Sequence, residues 1–173
     1  PTRRSSDLKM ALILMLCLAL FFGSYLMWKG GIVIVIMGLL SLYFAYGYTG
    51  GPFPLSYNGL GEVAAFLFFG VMAVSGTTYL QTHTFSWISV LMGFGPGFIS
   101  ATVLAINNLR DTQSDKETHK MTLSVRFGEN FQRKLCLLLI LGSSLLILAI
   151  SFIFQFYWLS PVSLLALLYM PNW

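Results

Sequence analysis

Apolar residues run through this chain in five long blocks, 10–28, 31–48, 60–80, 86–106 and 135–157, divided by short polar or glycine-bearing breaks. A helix needs about 20 apolar residues to cross the hydrocarbon core of a bilayer, so each block is long enough to span. A sixth block, 158–173, is read as a partial span. Backbone groups in hydrocarbon find no water, which leaves helices or a closed barrel, and unbroken apolarity without a period of two favours helices. The predicted fold class is all-α, a polytopic transmembrane helical bundle. Residues 1–173 form a single membrane domain in which the one long polar stretch, 107–134, is a loop.

Composition agrees: 57% of residues are hydrophobic and 9% charged, against roughly 25% charged in soluble domains. The net charge of +4 reflects topology. Arg3, Arg4 and Lys9 precede the first block; Arg110, Lys116, Lys120, Arg126, Arg133 and Lys134 lie between the fourth and fifth; Lys29 is the exception. An even number of crossings puts both basic groups on one face, which the bias of Lys and Arg marks as cytoplasmic, in a cell (inner) membrane. The loop from Tyr46 to Glu62 shares that face. No aromatic-basic array accompanies the charge, so no nucleic acid is expected. "PTRRSSDL" does not read as a signal peptide, because the apolar block after it is long enough to span. Cys17 and Cys136 sit in Leu-rich runs as small hydrophobes. His83, in the short opposite loop, is read as solvent-facing.

In the fourth block "GFGPGF", residues 93–98, surrounds Pro96 with glycines. Close helix packing and a kink that shapes a cavity are both open readings.

The polar run "NNLRDTQSDKETHKMTLSVRFG", residues 107–128, carries the chemistry. If the fourth helix continues past Ile106, then Asn107, Asn108, Asp111 and Asp115 share one face. Carboxylates four apart repel, and a salt-bridged surface helix places a cation three or four residues beyond each. Those positions hold Ser114, Asp115, Thr118 and His119; only Glu117 and Lys120 make such a pair. The alternative compensation is Mg²⁺, which takes one or two carboxylates and fills its other positions with water and substrate phosphates. Arg110, Lys120 and Arg126 then face a diphosphate. A charged head joined to an apolar tail suits such a mouth, and a prenyl diphosphate has that form.

This run, with "YTGGPFPLSYNGLGEVAAFLFFGVMAVSGTTYLQT" (residues 48–82), resembles the UbiA superfamily of membrane prenyltransferases. Within it the likeness is to the branch that prenylates 1,4-dihydroxy-2-naphthoate in menaquinone synthesis. The resemblance implies a nine-span bundle around a lipid-facing cavity, with two Asp-rich motifs at its cytoplasmic mouth. It implies Mg²⁺-dependent transfer from a polyprenyl diphosphate to the naphthoate, with loss of CO₂ and diphosphate, giving demethylmenaquinone. Asp111 and Asp115 match the second motif and become metal-binding catalytic residues; Lys120, Thr122 and Arg126 match its tail. His119 stands where the family usually has glycine, and Met121 where a basic residue is common. Asn107, Asn108, Arg110, Lys120, Arg126, Tyr48 and Tyr57 are the substrate-binding candidates, the tyrosines joined by Phe53 as aromatic faces that shield a carbocation. Glu62, an ionisable residue opening a span, is a functional candidate or a hydrated interfacial group.

The first motif, of Asn-Asp-x-x-Asp type, is not found in residues 1–173. The chain thus reads as a piece covering roughly the third to seventh spans and part of the eighth, and this piece alone is expected to be inactive. Two rivals follow: the same chemistry on 4-hydroxybenzoate or homogentisate, and a membrane transporter or lipid-binding protein. Against the second, no polar residues deep in the spans mark a path.

Overall fold

The computed structural model describes residues 3–155 and Tyr157; the partial span expected at 158–173 lies outside them. The first helix, α1, runs from Arg3 to Gly47, but Gly31 leaves the helical region at φ 63°, ψ −155°. Only glycine adopts that conformation readily. The arms on either side fold back on each other. Met27 Cε comes within 3.0 Å of where a Cβ on Gly38 would stand, whereas eleven residues of straight helix would separate these positions by about 16 Å.

A turn of 3₁₀ helix, Leu55–Asn58, leads into α2, Gly61–Thr82, whose middle, Leu67–Met72, winds as a π-helix. Then follow α3, Trp87–Arg110, two short helices, α4 (Thr112–Glu117) and α5 (Leu123–Phe127), and α6, Glu129–Ile153. Gly30 approaches Leu80, so the fold-back of α1 and the α2–α3 turn share one end. The polar connections gather at the other. The long helices are long and apolar enough to cross a membrane.

The central helix is α3, packed on α2 and on α6. Its contact stripe is Gly93, Gly97, Ala101 and Ala105, one every fourth residue and all buried. Lipid tails are as apolar as leucine, so close backbone approach replaces the hydrophobic drive between helices. A Cβ on Gly70, in the π segment, would strike Gly97 Cα and come within 2.5 Å of Gly93 O. The glycines around Pro96 therefore serve close packing, and α3 runs through the proline as one helix.

Burial is inverted relative to a water-soluble domain. Among the described residues, the buried apolar side chains are Ala65, Ala101, Ala105 and Cys136, and the largest fully enclosed side chains are Gln132, Ser124, Ser144 and Ser151. Leu12, Phe21, Phe69 and Leu138 point outward.

Candidate active site at the polar end

The end of α3 holds two adjacent asparagines that face different ways, since consecutive helical residues do not share a face. Asn107 lines a cavity; Asn108 is buried and its Nδ2 donates to Glu62 Oε1 at 2.9 Å. Gln132 Nε2, from the first turns of α6, donates to the same oxygen at 2.8 Å and to Ala105 O at 3.1 Å. Glu62 thereby ties three helices together beneath the polar loop. Glu62 Oε2 and Gln132 Oε1 are buried without a partner.

At Asp111 the backbone departs from the helix (φ −92°, ψ 9°), and α3 gives way to α4. The four polar side chains expected on one face are thereby divided. Asp111 N donates to Asn107 O at 2.9 Å, and Asp115 N to Asp111 O at 2.9 Å. Thr112 Oγ1 reaches Asn108 O and Leu109 O and makes a very short contact with Ser124 Oγ.

The two carboxylates have unlike surroundings. Asp111, half-exposed, accepts both Nε (2.7 Å) and Nη2 (3.0 Å) of Arg110. That bidentate contact holds its carboxyl below the usual range against an opposing desolvation, with the charges of Arg110 and then Lys120 adding attraction. Asp115 is buried; its Oδ1 lies 3.3 Å from Lys120 Nζ and its Oδ2 accepts from Thr122 Oγ1 at 3.4 Å. Each aspartate has its cation at an offset outside the helical rule, one residue before and five residues after. Glu117 instead takes Gln113 Nε2 at 3.5 Å, not Lys120.

Tyr48 is half-buried beside this group. Its hydroxyl lies 3.2 Å from where a Cβ on Gly61 would stand. Burial first, then the charges of Glu62 and Asp115, push its phenol up, so it remains a neutral O–H donor. With Leu55 and Asn107 it frames a cavity of about 590 Å³ that runs between α1, α2 and α3 past Ser41, Phe68, Ser100 and Val103. A smaller apolar hollow of about 300 Å³ adjoins it, sharing Phe44 and Phe68.

The other candidates are more dispersed. Tyr57 and Phe53 are exposed and belong to neither cavity lining. Arg126 Nε donates to Met121 O at 2.9 Å, bracing the loop. His119 is exposed at φ 57°, a left-handed conformation that glycine adopts without strain and histidine tolerates better than most residues.

Sequence reasoning missed Gln132, which opens an apolar helix beside Arg133 and Lys134 and so reads as loop. The sequence alone leaves Glu62 as either a hydrated interfacial group or a functional residue. The signal available was an amide and a carboxylate at the same end of different spans, where side chains of this type bond across helices.

Among the described residues, no three His, Cys, Asp or Glu side chains converge as a metal cage. The donor set nevertheless suits Mg²⁺, which binds through one or two carboxylates when phosphates complete its shell. The 3.3 and 3.4 Å contacts of Asp115 are long enough to yield to a stronger ligand, and Asp111 faces solvent.

A model of the UbiA prenyltransferase family matches residues 1–173. The chain belongs to the UbiA prenyltransferase family. Similar UbiA relatives include proteins named 1,4-dihydroxy-2-naphthoate octaprenyltransferase. That of Mycobacterium leprae is 39% identical over 113 residues, covering 65% of this chain and 38% of the relative. That of Escherichia coli is 43% identical over 109 residues, 63% of this chain and 35% of the relative. A 2-carboxy-1,4-naphthoquinone phytyltransferase of Synechocystis is 30% identical over 96 residues, 56% of this chain and 31% of the relative. These alignments span about a third of the relatives' length. No solved structure matches. UbiA membership and the helices agree on an all-helical, multi-pass membrane fold.

Proposed function

We propose that this chain is the part of a membrane prenyltransferase that carries one acidic half of its active site, acting on 1,4-dihydroxy-2-naphthoate in menaquinone synthesis. The observation that carries the reading is the placement of Asp111, Asp115 and Lys120 at one end of the bundle, beside Tyr48, which also frames the mouth of an apolar cavity. A diphosphate head at that mouth and a polyprenyl tail in the cavity use both environments.

Asp111 and Asp115 would hold the metal, directly or through water, and Lys120 and Arg110 would neutralise the diphosphate oxygens. Mg²⁺ bound there would supply Lewis-acid stabilisation of the departing diphosphate. The allylic C–O bond breaks, with its electron pair leaving on the diphosphate. The naphthoate ring carbon that carries the carboxylate bonds to the allylic carbon, and the electrons of the broken ring–carboxylate bond restore aromaticity as CO₂ leaves. The product is a prenylated diol whose oxidised form is demethylmenaquinone. Tyr48 and Asn107 are placed to donate hydrogen bonds at the mouth. The reaction then takes place at the cytoplasmic face of the cell membrane, where the naphthoate and the diphosphate head meet the polar end of the bundle.

The test uses membranes expressing the intact gene, supplied with a polyprenyl diphosphate and either 1,4-dihydroxy-2-naphthoate, 4-hydroxybenzoate or homogentisate. Prenylated naphthoquinone is expected; prenylated hydroxybenzoate alone would overturn the acceptor. Asp111→Ala or Asp115→Ala is expected to slow transfer by about a hundredfold or more, and an unchanged rate would remove the metal assignment.

A further inference from the structure

Glu62 is a buried carboxylate in a membrane helix, yet it lines neither cavity. Its Oε1 is the meeting point of Asn108 Nδ2 from α3 and Gln132 Nε2 from α6. A carboxyl oxygen has two lone pairs, so one atom can accept from both amides at once.

Asn108 is also the last fixed point before the chain changes direction. Its carbonyl accepts Thr112 Oγ1 at 3.0 Å, and the carbonyl of Asn107 accepts Asp111 N at 2.9 Å. Asn107 and Asn108 differ by one helical step, about 100° of rotation. Were α3 to turn by that step so as to bring Asn108 to the cavity, Asn107 would leave its lining, Glu62 would lose its donor from α3, and Asp111 and Asp115 would swing away from the mouth with Asn107. Ala105 O, one turn earlier on α3, accepts the same Gln132 amide at 3.1 Å, which locks the register against sliding as well as rotation.

We propose that Glu62 is a positioning residue: by seizing Asn108 and Gln132 on one oxygen, it sets the rotation of the end of α3 and thereby aims Asp111 and Asp115 at the cavity mouth. The significance of that aim rests on the reading of the acidic pair given above.

The intact membrane enzyme is prepared as wild type, Glu62→Gln and Glu62→Leu, and each is read by backbone hydrogen exchange and by prenyl transfer. Glu62→Gln keeps an acceptor oxygen for both amides. It is expected to hold exchange across residues 107–117 near wild type and the KM for prenyl diphosphate within about threefold. Glu62→Leu is expected to speed exchange at Asp111 and Asp115 about tenfold and to raise that KM about tenfold, with a smaller change in kcat. Exchange at the far end of α2, residues 73–82, should stay unchanged. The proposal is overturned if Glu62→Leu leaves 107–117 protected, if both ends of the bundle loosen equally, or if Glu62→Gln is as damaging as Glu62→Leu. Should local exchange respond as described while the wild type does not consume prenyl diphosphate, positioning stands and the prenyl-transfer reading fails.

Discussion

Lys120 Nζ lies 3.3 Å from Asp115 Oδ1, and the same ammonium exerts its attraction on Asp111. Lys120 therefore pairs with Asp115 and adds attraction on Asp111, whose main partner is Arg110, and Thr122 completes the contacts of Asp115. Lys120 is also mostly enclosed, unlike Arg110. A partly enclosed ammonium near a diphosphate gains more than a fully solvated one, because screening is weaker. Lys120→Met is expected to raise the KM for prenyl diphosphate by about 10–100-fold, the equivalent of one charged hydrogen bond of about 1.5–3 kcal/mol. Initial rates against diphosphate concentration in membranes bearing the intact enzyme check this, and an unaltered KM would show that Lys120 serves Asp115 alone.

The Arg110–Asp111 contact has a pH signature. Arg110 holds the Asp111 carboxyl below its usual range. A depressed carboxylate contributes its interaction above the unfolded-state value and loses it as pH falls through the lower folded-state value. Asp111 in the native enzyme thus stays ionised on the acid side longer than an ordinary aspartate. Arg110→Met should bring its titration back toward the ordinary range, moving the acid limb of the diphosphate KM profile to higher pH. Carbon NMR of isotopically labelled aspartate, assigned with Asp111→Asn, gives the titration directly; an unmoved resonance would refute the pairing.

Much of this arrangement was legible from residue order, for reasons that also explain the omissions. Unbroken apolar runs predict long helices because backbone satisfaction in lipid leaves few options, and the break at Gly30–Gly31 is where α1 folds back. The pairing partners of Asp111 and Asp115 were hidden, because the helical i+3 and i+4 rule fails once the backbone departs from the helix at Asp111. The spacing predicts Asn107 and Asn108 on one face, while their one-residue offset sends one to the cavity and the other to Glu62. The burial of Gln132 depends on how α6 meets α2 and α3, a relation between distant segments that local periodicity does not contain. The glycine that the resemblance leads one to expect at His119 acquires a reason in its left-handed backbone.

Close approach at Gly70 makes a stability prediction. A methyl there would collide with backbone of α3 at Gly97 and Gly93, not with a side chain able to rotate aside. Gly70→Ala should force α2 and α3 apart and destabilise the protein by about 1–3 kcal/mol. Gly23→Ala, at a position with nothing within 4 Å of the added carbon, is the matched control. Thermal unfolding in detergent compares them, and equal midpoints would contradict the packing.

The cavity beneath the mouth bears on tail length. Ser100, Val103, Leu104 and Asn107 line it from α3, at spacings that put them on one helical face. Asn107 lies toward the polar end and Ser100 two turns deeper, so bulk added at Ser100 meets the tail and not the head. Burying a methylene contributes about 0.8 kcal/mol, and Ser100→Phe, by displacing roughly two of them, should raise the KM of a long-tailed prenyl diphosphate about tenfold. A short substrate whose tail ends before Ser100 should be processed as in the wild type, which also certifies that the variant is folded. Steady-state kinetics with geranyl and octaprenyl diphosphates separate the cases. If both substrates suffer equally, the phenylalanine has disturbed the bundle, and if neither does, the tail lies outside this cavity.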